Sequence, residues 1–223
     1  MHQRKGSKVL IYFFLLCLFG SINNINFSKL KINNTIDIKV LGLGNSDDLV
    51  LLENFKKLNL DNIFFINDEQ IKNLIDSNSL VENYKIFKKY PSTLNIEIKR
   101  TIFLAKINKD GKYYLIGSNG KLSDTNFSSA NLPFVFGNPD INEFLQFKNI
   151  LDQSKISYQE IKNLYFFPSK RWDIELKNNV LIKLSNNYTK DNLNNIFEFL
   201  NNANLGKLKI LDARIKNQII IHE

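Results

Sequence analysis

Cysteine occurs once in the 223 residues, at Cys17, and histidine twice, at His2 and His222. A single cysteine excludes an intrachain disulfide and a dithiol redox couple. Two histidines at opposite ends give neither a zinc set nor a nucleophile–histidine pair, which need several ligands or a base beside the attacking group. Runs of like charge are missing too. Lys+Arg 30 against Asp+Glu 22 leaves a net charge of +8, but no five residues of one sign follow each other, and the lysine excess is diluted among asparagine and isoleucine. Charge spread so thinly reads as background, not as a nucleic-acid footprint. Internal repeats and low-complexity linkers are also absent. The carboxylate pairs Asp47/Asp48 and Asp68/Glu69 both open helices, where acids suit the helix dipole, so capping accounts for them without glycan cleavage. What remains is a chain with 43% hydrophobic residues, enough to bury a core in one or two modest domains.

The N-terminus carries the longest apolar stretch, Val9 to Ile22, preceded by Arg4, Lys5 and Lys8. As a helix rising ~1.5 Å per residue it spans about 21 Å, short of the ~30 Å hydrocarbon core unless the uncharged residues 23–28 and a snorkelling Lys8 extend it. Such a length suits a signal peptide, but "LFGSINN" lacks an Ala-x-Ala cleavage pattern. The reading is therefore an uncleaved transmembrane signal anchor over residues 9–27. Positive charge on the short N-terminal side places residues 1–8 in the cytoplasm and everything after about residue 28 outside it. A domain held there meets neither the chromosome nor ATP, and no nucleic acid, cofactor, metal or small-molecule substrate is expected.

Along the exported part, "IDIKVL" alternates as a strand, "GLGN" turns, and "SDDLVLLENFKKL" spaces Leu49, Leu52 and Phe55 as a helix with Ser46 as its N-cap. A short apolar strand over 62–66 is followed by a helix capped by Asn67, burying Ile71, Leu74 and Ile75. "YKIFKKY" and "STLNIEIKR" are two strands parted by Pro91. Asp110-Gly111 and Asn119-Gly120 mark hairpin turns. "LPFVFGNP" reads as a loop. A helix then places Ile141, Phe144, Leu145 and Ile150 on one face, and another, from about Thr189, does the same with Leu193, Ile196, Phe197 and Leu200. Strands surround them, the last two around a Lys216-Asn217 turn. The fold class is α+β: a membrane anchor helix, a β-α-α-β-β module, then a mostly antiparallel β domain with flanking helices.

The segment "KRWDIELKNNVLIKL", residues 170–184, holds the only tryptophan. Alternation puts Trp172, Ile174 and Leu176 on one face and Arg171, Asp173, Glu175 and Lys177 on the other, a charged and solvated sheet surface. A two-residue loop would send Val180, Ile182 and Leu184 to the polar side. A three-residue loop of Lys177, Asn178 and Asn179 pairs Leu176 with Val180 instead, aligns the apolar sets, and asks Asn179 to be left-handed. Trp172 is then a core anchor.

In order along the chain, "KKYPSTLNIEI", "YYLIGSNGKL", "LPFVFG", "KRWDIELKNNVLIKL" and "LDARIKNQIII", behind one membrane anchor, resemble the bacterial cell-division family FtsQ, called DivIB in Gram-positive bacteria. The resemblance implies a POTRA-like domain over 28–100 and an FtsQ-type β domain over 101–223. It implies a non-catalytic scaffold of the division machinery, in the inner membrane with its C-terminal part in the periplasm and enriched at the septum. It also implies partners: FtsB and FtsL directly, with a link from early division proteins to the septal peptidoglycan synthases FtsW and FtsI. The family's β domain receives a segment of FtsB at its C-terminal sheet edge, and "QIIIH" has the residues for such an edge, with Gln218, Ile219, Ile220 and Ile221 as the docking strand. A proline at Ile220 is expected to remove a ladder donor there. The family's arginines carry to Arg171 and Arg214, which either meet an acidic partner side chain or pair with neighbouring acids. A POTRA-type assembly or secretion chaperone, also working by strand addition, is the alternative.

Overall fold

The computed structural model describes residues 5–22, 36–58, 60, 63, 66–124, 131–202, 208–216 and 218–222. Helix α1 spans Lys5–Ile22 and leaves its apolar side chains from Val9 to Phe19 exposed. No helix among the described residues is long and apolar enough to cross a membrane.

A three-stranded sheet comes next. Strand β1 (Asp37–Leu41) leads into helices α2 (Asn45–Lys56) and α3 (Asp68–Ser77), then β2 (Val81–Lys89) and β3 (Thr93–Arg100). The sheet order is β1-β3-β2, with β1 parallel and β2 antiparallel to β3. Leu51 and Phe55 of α2 and Ile71 and Ile75 of α3 pack on Val40, Leu94, Ile96 and Ile98. Burying each such side chain is worth about 1.5–3 kcal/mol, which holds both helices on one face. The β-α-α-β-β order is the one the periodicity gives. The Asn67 cap also holds, its side chain accepting from Glu69 N–H at 3.0 Å. Ser46 is not the cap of α2: the helix starts after Gly44, and Asp48 reaches back to accept from the N–H groups of Leu43 and Gly42. At one position of this turn, space demands glycine. Gly42 has φ 122°, and a Cβ on it would lie 1.8 Å from the Ile98 carbonyl oxygen. The strand expected over 62–66 lies largely outside the described residues; Ile63 there is buried.

Among the described residues the second sheet has nine strands: β4 (Phe103–Lys109), β5 (Lys112–Gly117), β6 (Leu122–Ser123), β7 (Phe134–Phe136), β8 (Ile161–Phe166), β9 (Trp172–Leu176), β10 (Leu181–Leu184), β11 (Ile210–Ala213) and β12 (Ile220–His222). Helix α4 (Ile141–Gln153) follows β7, and α5 (Lys190–Asn202) follows β10. The order is β12-β11-β10-β9-β8-β7-β4-β5-β6. Asp110 and Gly111, both at positive φ, close the β4–β5 hairpin as a primed turn.

One expectation is refined and one corrected here. The sheet is mostly antiparallel, as expected, but mixed, because β4–β7, β7–β8 and β10–β11 are parallel. A strand–helix–strand crossover returns the chain in its starting direction, and both α4 and α5 are such crossovers. "LPFVFGNP" is not a loop throughout: Phe134–Phe136 is an interior strand between β4 and β8. With only three residues, hemmed by Pro133 and Gly137, it is too short to alternate visibly.

Trp172 is 1% exposed and stacks on Phe147 of α4 at 4.6 Å and 4°, with Phe166 at 4.8 Å. The three-residue loop is present: Leu176 N–H donates to Val180 C=O at 3.0 Å and Asn179 has φ 65°. The core side of the sheet is covered by Phe144, Phe147 and Leu151 of α4 and Leu193, Ile196 and Leu200 of α5.

Candidate functional site

Strand β12 ends the nine-stranded sheet, and among the described residues only β11 pairs with it. Its register is Ile210↔His222, Leu211↔Ile221 and Asp212↔Ile220. Leu181 N–H donates to the Lys209 carbonyl at 2.9 Å, and β10 and β11 run parallel in register Leu181↔Ile210. That bonding turns the peptide groups of Leu211 toward β10. Alternation then turns those of Ile210 and Asp212 toward β12, whose Ile220 and His222 answer them. Ile221, opposite Leu211, is left with its N–H and C=O directed to the open side. The outward donor is therefore that of Ile221, and the donor of Ile220 belongs to the hairpin, contrary to the sequence reading. Gln218 and Ile219 precede the strand, and Ile220 and Ile221 are 43% and 49% exposed.

A lateral row crosses the sheet face toward this edge. Successive partners are Phe136, Tyr165, Asp173, Lys183, Asp212 and Ile220, one from each of β7 to β12. The acids in it are not solvated: Asp173 is 3% and Asp212 8% exposed. Cross-strand neighbours cover them, a long-range effect that alternation does not report. Burial raises the Asp173 carboxyl above its ordinary range, against the pull of Arg171, a Leu184 backbone bond and Lys183. Asp212 moves the other way. Hydrogen bonds from Arg214, chiefly, hold it below the usual carboxylate range.

Both arginines therefore have partners within the chain. Arg171 Nε donates to Asp173 Oδ1 at 3.2 Å, and its guanidinium lies 4.1 Å over the Phe167 ring. Arg214 Nε donates to both oxygens of Asp212, at 2.8 and 2.9 Å. The signal was in the sequence, since Arg171-x-Asp173 and Asp212-x-Arg214 each set an arginine, just beyond the strand end, two positions from an acid of the strand, the spacing that shares a face in extended chain. Strands β9 and β11 run antiparallel with one strand between them, so the two arginines stand at the same end of one face, about 10 Å apart at two strand spacings. On the opposite, core side, a cleft of about 250 Å³ lies beside the hairpin, lined among others by Asn192 and Ile196 of α5 and by Ile215, Gln218 and Ile219.

Farther in, Glu175 accepts from Lys162 Nζ (2.8 Å), Asn163 Nδ2 (2.8 Å) and Tyr165 Oη (2.6 Å), and these bonds lower its carboxyl from 4.5 to about 2. A folded-state value below the unfolded one adds stability that is complete above the unfolded value and is lost as pH falls toward the folded one. The Glu175→Gln chain should accordingly be less stable than the unaltered one at neutral pH, and the gap should shrink between pH 4.5 and about 2. Urea titrations across that range measure it; a gap independent of pH refutes the assignment.

Two family models match: "POTRA domain, FtsQ-type" over residues 34–99 and "Cell division protein FtsQ/DivIB, C-terminal" over 105–214. The cell division protein DivIB of Clostridium tetani is 29% identical over 137 residues, which cover 57% of this chain and 52% of that one. DivIB of Clostridium acetobutylicum is 30% identical over 119 residues, 52% of this chain and 44% of that one. DivIB of Staphylococcus aureus is 26% identical over 164 residues, 70% of this chain and 34% of that one. The chain thus spans about half the length, or less, of these relatives. Among solved structures, the major extracytoplasmic domain of the trans isomer of DivIB from Geobacillus stearothermophilus aligns with TM-score 0.31 and 12% identity, over 41% of this chain and 83% of that one.

Proposed function

Because the chain belongs to the FtsQ/DivIB family of bacterial cell-division proteins, we propose that it is a non-catalytic, membrane-anchored scaffold that takes a segment of FtsB onto β12, with FtsL in the same complex. In this role it links early division proteins to the septal synthases FtsW and FtsI. The observation that carries the reading is the edge position of β12, with the Ile221 peptide groups directed outward. An added strand gains main-chain hydrogen bonds there, and its alternate side chains meet Ile220 and Arg214 on one face and the cleft beside Ile219 on the other. The guanidinium N–H groups that Arg171 and Arg214 do not spend on their aspartates point the choice toward a strand carrying an acid.

The proposed boundaries are 1–8 for a cytoplasmic end, 9–27 for the anchor, 28–100 for the POTRA-like domain and 101–223 for the β domain. Helix α1 supports the anchor by exposing apolar residues all along Val9–Phe19, as a lipid-facing segment does; the proposed span continues to residue 27, past the described helix. A fluorescent fusion in dividing cells tests the role. A band at midcell is expected, and uniform envelope staining overturns the proposal.

A further inference from the structure

The turn "GSNGK", residues 117–121, has no part in the docking edge, yet it is bonded at several points to the module of the three-stranded sheet. Asn119 Nδ2 donates to the carbonyls of Ser79 (2.9 Å) and Val81 (2.8 Å), while its Oδ1 accepts from Lys121 N–H at 3.0 Å. Lys121 Nζ reaches the carbonyls of Asp76 and Asn78, at the end of α3. Ser118 Oγ donates to Glu82 Oε2 at 2.7 Å, and Ser123 Oγ to Ser79 Oγ at 2.8 Å. The connecting residue Thr101 is 5% exposed, donates from Oγ1 to the same Glu82 oxygen at 2.9 Å, and gives its backbone N–H to Leu80 C=O.

We propose that this turn is a lock: it fixes the POTRA-like sheet and the nine-stranded sheet as one rigid body, so that the β12 edge stands at a set distance and angle from the first module. Four features make it a lock instead of a chance contact. The Asn119 amide is fully used, with both hydrogens on carbonyls of one module and its oxygen on the other, so its orientation is dictated. Three carbonyls around the end of α3, those of Asp76, Asn78 and Ser79, receive donors from side chains of the second module. The Glu82 oxygen gathers two hydroxyls that flank the connection, and a carboxylate acceptor strengthens both bonds. Finally, the space is filled: a Cβ on Gly117 would lie 2.5 Å from Asn119 Oδ1 and 2.8 Å from Thr101 Oγ1.

The test uses the full chain in nanodiscs with Cys17→Ser and spin labels on cysteines at the exposed positions Lys57 and Lys177, read by pulsed dipolar distance measurement. The unaltered joint should give one narrow distance. Asn119→Asp turns an acceptor against two carbonyls and should lose that single distance for a broad distribution; Asn119→Ala and Gly117→Ala should do the same. Glu82→Gln keeps an acceptor oxygen for the two hydroxyls and should stay narrow. The emission of Trp172, buried in the second module, separates a sprung joint from an unfolded domain. A broad or two-peaked distance in the unaltered chain overturns the lock, and so does a narrow one in Asn119→Ala with Trp172 emission unchanged.

Discussion

The Ile221→Pro chain is expected to bind the extracytoplasmic segment of FtsB at least about tenfold more weakly while melting within a few degrees of the unaltered chain. The substitution removes the one N–H of β12 that points away from β11 and puts a ring where the incoming strand would lie. A carbonyl of the partner then goes unpaired at about 1–3 kcal/mol, where 1.4 kcal/mol is a factor of ten. The fold tolerates the change because proline is accepted on an edge strand when its missing donor faces solvent. Ile220→Pro is the contrasting variant. Its nitrogen belongs to the hairpin bond with Asp212, so it should loosen β12 itself and lower the melting temperature as well as binding. Titration calorimetry with both variants decides the matter. Wild-type affinity in Ile221→Pro refutes docking at this edge, and a reversed pattern between the two prolines refutes the register.

Trp172→Ala should cost about 3–5 kcal/mol of stability, the largest loss foreseen for a single truncation in the nine-stranded sheet. The indole is 1% exposed and meets Phe147, Phe166 and Phe144. Its removal leaves a cavity walled by rings on two elements, β8 and α4, which cannot both close on it. Domains of this size are stable by about 5–15 kcal/mol in all, so the variant should populate unfolded chain under mild denaturant. Since the chain's sole tryptophan is lost, circular dichroism in urea is the appropriate measurement, with Trp172→Phe as the milder control. A loss below about 1 kcal/mol, the scale of an ordinary substitution, would mean that the ring packing contributes little.

What the sequence disclosed and what it withheld divide along distance in the chain. The Asn179 loop, the Asp110-Gly111 turn and the faces of α5 are set by neighbours a few residues away, and all three are found as read. On α4 the period found Phe144 but passed over Phe147 and Leu151, which are buried because Trp172 and α5 approach that side. The burial of Asp173 and the identity of β7 likewise depend on strands distant in sequence. The docking residues show both cases. Arg171 and Arg214 meet acids two positions away, which spacing reveals, whereas the direction of each peptide group in β12 follows from β10 through β11 and is invisible in "QIIIH".

Strand β7 is three residues long and lies between two parallel neighbours, β4 on one flank and β8 on the other. It is the stitch that makes nine strands a single sheet. A growing chain lays down β4, β5 and β6 first, and the flank of β4 stays bare until β7 has something to rest on. That support comes only after α4 and β8 have been made, so the first half of the sheet must wait, edge uncovered, for the second. Assembly from such distant pieces is slow, and an unpaired flank in the interval is where another copy of the chain would join by mistake.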